Sequence, residues 1–480
     1  MYTTPLKLAV MAASVIFISA CSSDDAAETP VDALVWRSCE ARPNLECTTL
    51  KVPMDYTRDA SEEITLGINR LPALEQPARG SILVNPGGPG GSGMALVEAL
   101  SETDSIPSRI RNAFDIVGFD PRGIGRSTPV DCSEFASDGA SIYLVDRAAI
   151  ASYANEAIAV VQACADKYGS YLQQLGSRNV VRDMDEIRIA LNEDTLNFIG
   201  YSYGSRLAGL YLQHYPETSG SLILDASMSP VSQVMTLTEQ ALPAMQKNLF
   251  AMLAQCDQFA EACNADDLHQ QLIAKANSLR DAGNAEEADL LTEVVVLAIQ
   301  SPELGDFLIG PLLTYLQTDD YSEIEVTLNL FGFDEEDLQG EDDETATLAV
   351  LCADDASRPT VDELEAALSR FNNVSDLLAE SSVAQAASCV GWPQALEPLP
   401  EITTRNAPTS LVIAGASDAN TPQRWSEEMA SSIGGYLVVS EHRGHTGVFT
   451  EVSDCLDEIA EQFLLEQKLP DTDRCEANPE

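Results

Sequence analysis

The chain has 480 residues, 45% of them hydrophobic, and carries a formal net charge of −49. That length can bury one large core plus an inserted or appended unit, and the composition excludes a disordered chain. The charge argues against nucleic acid and anionic headgroups as partners and fits a solvated, salt-tolerant acidic surface.

The N-terminus reads as an export signal: Lys7, then an apolar run from Leu8 to Ile18, then small residues. "ISAC" (18–21) resembles a bacterial lipobox, which implies cleavage before Cys21 and a lipid on its thiol; the alternative is an ordinary secretory signal with a chance cysteine. Residues 1–20 are thus the expected lipoprotein signal and 21–33 an acidic tether. No internal stretch is apolar for long enough to read as a bilayer span, so membrane contact is expected only through this anchor, in the cell envelope.

Beyond the tether, "ITLGINRLPA" (64–73), "RGSILVNPGG" (79–88) and "AFDIVGFDPRG" (113–123) are patterned as strands. "VVRDMDEIRIALN" (180–192) has helical spacing, "TLNFIGYS" (195–202) is a further strand, and "GSLILDAS" (220–227) follows the next helix. This alternation predicts a mostly parallel sheet flanked by helices. From 229 to 395 the pattern is mainly helical, and the run "DEEDLQGEDDE" (334–344) predicts an exposed acidic loop. Strand and helix alternation returns with "SLVIAGAS" (410–417), "PQRWSEEMASSI" (422–433), "GYLVVSEH" (435–442) and "VSDCLDEIAEQFLLEQ" (452–467). The expected organisation is a core (34–228), an inserted helical cap (229–395) and a returning core (396–480).

Ten cysteines follow Cys21, an even number that favours disulfides in an exported chain. They fall into five sequential couples, 39–47, 132–164, 256–263, 352–389 and 455–475. No Cys-x-x-Cys pair occurs and there are four histidines, so neither a metal nor another cofactor is expected.

The chemistry centres on "GYSYG" (200–204), a Gly-x-Ser-x-Gly at a predicted strand-to-helix turn. Small residues two positions either side let such a turn close, lift the serine above the sheet edge and aim a helix N-terminus at a reacting carbonyl. Ser202 needs a base and an orienting acid, in the chain order Ser, acid, His. His214 lies in the following helix and His269 in the insert, which leaves "EHRGHTG". His445, beyond the strand end, is preferred to His442 as the base. Asp418 follows a strand and is preferred as the acid to Asp225, whose plainer reading is a turn or cap residue. The expected oxyanion donors are the N–H groups of Tyr203 and of Gly88 in "NPGGPGGSG" (85–93). That loop lacks the Gly-Lys-Ser/Thr or dinucleotide spacing of a phosphate cradle.

Taken in order, "CTTLKVPMDY" (47–56), "NPGGPGGSG", "GFDPRGIGRS" (118–127), "GYSYGSRLAGLYLQHYPE" (200–217), "ILDASMSP" (223–230), "LCADD" (351–355), "CVGWP" (389–393), "AGASDANTP" (414–422) and "RGHTG" (443–447) resemble one family. It is the prolyl-aminopeptidase-type serine peptidases of the α/β-hydrolase fold, in their secreted tripeptidyl-aminopeptidase-like branch. The resemblance implies an aminopeptidase acting on short peptide substrates, and it puts Ser202, Asp418 and His445 on the triad positions. It further implies structural roles for Asp120 and Arg122, and a place on the cap side of the cleft for Asp354, as a substrate-binding residue. The chain departs from the family's Asp-Pro-x-Thr-Pro by reading Asp-Ala-Asn-Thr-Pro. Esterases share the family, so a carboxylesterase with the same triad is the alternative, and a non-catalytic envelope lipoprotein is a third reading.

Overall fold

A computed structural model describes residues 34–135, 144–261, 263–333, 344–404 and 407–479. The expected signal, tether and Cys21, and most of the acidic run at 334–344, lie outside the described residues. Residues from Ala33 onward form one compact unit.

Its strands are β1 (Arg37–Ser38), β2 (Glu46–Pro53), β3 (Glu63–Leu71), β4 (Gly80–Asn85), β5 (Phe114–Phe119), β6 (Leu196–Tyr201), β7 (Ser219–Asp225), β8 (Leu411–Ser417), β9 (Tyr436–Arg443) and β10 (Arg474–Cys475). Among the described residues they make one sheet in the order β1-β2-β3-β5-β4-β6-β7-β8-β9-β10. β1, β2, β3 and β5 pair antiparallel, and every pair from β5 to β10 is parallel. The continuous apolar runs are explained by burial on both faces, since successive side chains point to opposite sides. Leu83, Phe198, Leu222, Leu224 and Val412 enter one core cluster. Their neighbours Ile82, Val84, Ile199, Ile223 and Ile413 enter the other.

Helices α1 (Gly93–Leu100), α2 (Ser108–Ala113), α3 (Arg147–Tyr168), α4 (Ser177–Ala190) and α5 (Tyr203–His214) belong to the first part of the chain. The insert supplies α6 (Val234–Leu253), α7 (Ala265–Asp281), α8 (Ala285–Gln300), α9 (Pro302–Thr318), α10 (Ser322–Leu330), α11 (Glu344–Asp354), α12 (Val361–Phe371) and α13 (Ala379–Ala386). The returning core adds α14 (Gln423–Ile433) and α15 (Asp454–Glu466).

Packing divides the chain differently from its sequence. Leu144, Ile150 and Ala154, ahead of the insert, join the cap cluster with Leu249, Leu272 and Val295. Conversely Ala349, Val350 and Cys352 of α11, inside the insert, join the main core. The helical run Arg147–Gln174 is, by length and composition, apolar enough to cross a membrane, contrary to the expectation from sequence. About a fifth of that apolar window (22%) is buried: Val161, Cys164, Tyr171 and Leu172 enter the main core, and Cys164 is bridged to Cys132. The other disulfides are Cys39–Cys47, Cys256–Cys263, Cys352–Cys389 and Cys455–Cys475.

Arg122 and Asp183 form a fully buried pair between the β5 turn and α4. Arg122 Nε and Nη2 donate to the two Asp183 oxygens at 2.7 and 2.6 Å, and its remaining hydrogens go to the carbonyls of Met54, Gln174 and Pro53. Asp120, also buried, accepts from the N–H groups of Met94 and Arg126 and so ties the start of α1 to the turn after β5.

Candidate active site

Ser202 stands between β6 and α5 with φ 52° and ψ −121°, outside the regions that L-residues favour. The flanking glycines are what allow this. A Cβ on Gly200 would sit 2.2 Å from the Gly204 carbonyl oxygen, and one on Gly204 would sit 2.8 Å from that of Asn85. The Ser202 N–H donates to the Asp225 carbonyl at 2.9 Å, which fixes the elbow to the end of β7.

His445 and Asp418 meet directly, with Nδ1 to Oδ2 at 2.8 Å. The Asp418 side chain is fully buried and that of His445 is 22% exposed. Asp418 is held by the N–H groups of Asn420 (2.8 Å) and Thr421 (2.9 Å) on Oδ1 and by the Thr421 hydroxyl (2.7 Å) on Oδ2. The turn therefore closes with Ala419 where the family has proline. Burial pulls the His445 pKa down, but the Asp418 hydrogen bond and the charges of Asp418 and Asp225 outweigh it, so the net shift is upward. His442 is buried, which holds its pKa below the usual imidazole value, and the structure offers it no hydrogen bond to Asp418. Among the described residues Ser202 Oγ makes no hydrogen bond. Such bonds often tighten only when substrate binds.

What joins the serine to the histidine loop is Asp225, which sequence reasoning set aside. Its carbonyl takes the Ser202 N–H, while its Oδ2 takes the N–H groups of Gly447 and Val448, both at 2.8 Å. Tyr201 adds a hydroxyl bond to the Val448 carbonyl at 3.1 Å. The acceptor at the end of β7 thus acts as a clamp on the loop carrying His445. No sequence motif marks that role, because the donors are backbone groups.

Tyr203 opens α5, so its N–H has no partner within the helix. In the glycine loop, Gly87 donates its N–H to Asn85 Oδ1 at 3.1 Å. The Gly88 N–H has no such partner among the described residues and is available to donate. Gly87 itself was missed: a Cβ there would lie 2.7 Å from that of Ser202 and 3.2 Å from the Tyr203 nitrogen. A side chain at 87 would crowd Ser202 and the Tyr203 N–H.

Asp354 is a correction. Instead of lining an open cleft it is 1% exposed, and its oxygens accept the Ser177 N–H (2.7 Å) and hydroxyl at the start of α4. Burial raises its pKa to about 6 despite nearby Arg206 and the Ser177 bonds. A carboxylate already serving a helix N-terminus is not free to receive a substrate ammonium group.

Helices of the insert reach the site from two sides. Thr347 Oγ1 of α11 donates to the Pro89 carbonyl at 2.6 Å. Pro302 at the start of α9 borders Gly444, and Arg443 makes a two-point pair with Asp306 at 2.8 and 2.9 Å.

Two family models match the chain. One, described as the alpha/beta hydrolase fold, spans residues 80–299, and the other, described as TAP-like protein, spans 375–476. Serine protease Hip1 of Mycobacterium tuberculosis is 27% identical over 459 residues, covering 87% of this chain and 85% of its own. A tripeptidyl aminopeptidase of Streptomyces lividans is 25% identical over 470 residues, covering 90% and 84%. Carboxylesterase B of Mycobacterium tuberculosis is 28% identical over 473 residues, covering 92% and 89%.

Proposed function

We propose that this chain, which belongs to the α/β-hydrolase fold family of serine hydrolases, is an exported aminopeptidase that releases short peptides from free N-termini. The observation that carries the reading is the His445–Asp418 pair, on a loop clamped by Asp225 to the Ser202 elbow, beneath a helical cap. His445 Nδ1 is taken by Asp418, so Nε2 is the nitrogen left to accept the Ser202 proton. Ser202 Oγ then attacks the scissile carbonyl, and the N–H groups of Gly88 and Tyr203 hold the oxyanion. The imidazolium, stabilised by Asp418, returns its proton to the leaving amine, and water releases the acyl group by the same route.

The chain-terminal preference is inferred from the insert, whose helices meet the core at both the glycine loop and the histidine loop. The tripeptidyl aminopeptidase relative supports the same reading. A free N-terminus brings an ammonium group into this enclosure, and a buried cation needs a carboxylate partner. Asp354 is engaged elsewhere, so the partner is another carboxylate.

The test compares matched tripeptide p-nitroanilides with free and acetylated N-termini. The free form should have a kcat/KM about tenfold higher or more, since acetylation leaves the receiving carboxylate unpaired. The carboxylesterase relative favours a second reading, an esterase with the same triad. Equal turnover of the two peptides, or faster turnover of simple esters than of either, would support that one.

Export and anchoring belong to the same proposal. Five disulfides suit an oxidising compartment. With the native N-terminus, the protein should fractionate with membranes and carry lipid on Cys21, and Cys21→Ala should release it. Wild-type protein that is soluble, with an unmodified N-terminus elsewhere, would reject the anchor.

A further inference from the structure

We propose that α11 is a brace for the oxyanion site, with Thr347 and Asp354 as positioning residues for its two donors. The proposal rests on the acyl-transfer reading of Ser202 and on contacts at both ends of one helix. Near its start, Thr347 bonds the carbonyl of Pro89, the residue after Gly88, and closes on Gly90. At its end, Asp354 grips Ser177 by N–H and hydroxyl. The Ser177 hydroxyl in turn meets the Tyr203 phenol at 2.6 Å. Gly88 and Tyr203 are the two donors, so each is one short chain of bonds away from the same helix.

The helix is suited to that task. Thr347 and Asp354 are seven positions apart, about 10 Å of helical rise, over which a helix keeps its shape. Val350 and Cys352 are buried in the main core together with Tyr203. Cys352 is bridged to Cys389, and its carbonyl accepts from Arg358 Nη2 at 2.7 Å. Oxyanion donors work only when held to within a fraction of an ångström of the developing charge. The two donors follow adjacent strands, β4 and β6, which pair at Asn85 and Gly200. A common strut adds a second tie between them beyond the sheet. It also makes the insert part of the chemical machinery, in addition to roofing the site.

The experiment uses the full-length protein and p-nitrophenyl acetate, a small ester that needs the triad but not a peptide site. Active sites are counted with a fluorophosphonate, and phenylboronic acid serves as the tetrahedral probe. Thr347→Val and Asp354→Asn should each lower kcat per active site about tenfold, a fraction of what losing a whole donor costs. KM should stay within about twofold, as expected when only transition-state contacts are lost. Boronate affinity should fall in parallel with kcat, and Thr347→Ser, which keeps the hydroxyl, should restore both. A lower Tm with unchanged kcat and boronate affinity per site would reduce both residues to fold stabilisers and overturn the proposal. If Asp354→Asn does not fold, the Thr347 pair decides in the same way. Wild-type protein inert to both ester and fluorophosphonate would instead overturn the acyl-transfer reading, and the brace with it.

Discussion

Ser202→Ala and His445→Ala should each fold normally and lose about 10⁴- to 10⁶-fold in kcat, because members of a triad act as a unit. His442→Gln should retain most activity per folded molecule, since His442, although buried close to Asp418, makes no hydrogen bond to it, and the Asp418 bond goes to His445. A dead His442 variant beside an active His445 variant would reverse the assignment of the base. The pH profile gives a second reading of the same site. The His445 pKa is raised above 6.5, with burial opposing and Asp418 prevailing. A general base must be neutral, so kcat/KM should fall as pH drops through that raised value, placing the acid limb above 6.5. Asp418→Asn should cost about 10⁴-fold in kcat and move the limb downward. Stability runs the other way. The folded state holds this proton more tightly than the unfolded state does, so the contribution is full below the unfolded pKa and fades as pH rises through the folded one. An acid limb well below 6.5 in the wild type would contradict the pairing.

Arg122→Met should destabilise the fold by about 3–5 kcal/mol, the cost of leaving a buried charge without its partner. Asp183 would lose both guanidinium bonds and keep only the Tyr56 hydroxyl. The Met54, Gln174 and Pro53 carbonyls would lose a donor as well. A drop in the urea midpoint at unchanged slope measures the loss. Activity per folded molecule at low temperature should persist, because Arg122 touches no part of the triad. A shift under about 1 kcal/mol would show that the pair is replaceable by packing.

The central strands were legible because burial on both faces demands unbroken apolar runs, and "ILVN" or "LVIAG" has few other uses. The edges were not. β1 and β10 are two residues long, and β2 interleaves polar residues in "ECTTLKVP". Helix α3 escaped notice because its alanine-rich sequence, "RAAIASYANEAIAVVQACADKY", shows no clean apolar stripe. Ser202, Asp418 and His445 could be chosen from chain order and from position at strand ends. Asp354 could not be placed, because what buries it is Ser177, contributed from 177 positions away. The clamp at Asp225 was hidden for a related reason: backbone N–H groups leave no residue type to read. Sequence exposes the chemistry of side chains, and long-range backbone partners decide which of them are free.

The most direct measurement is reaction of the purified protein with a fluorophosphonate, followed by mass spectrometry of the proteolytic peptides. The account predicts one adduct per chain, on Ser202 in the segment "NFIGYSYGSR", and none in His445→Ala. Labelling at another serine, or no labelling of protein that turns over peptides or esters, would contradict it.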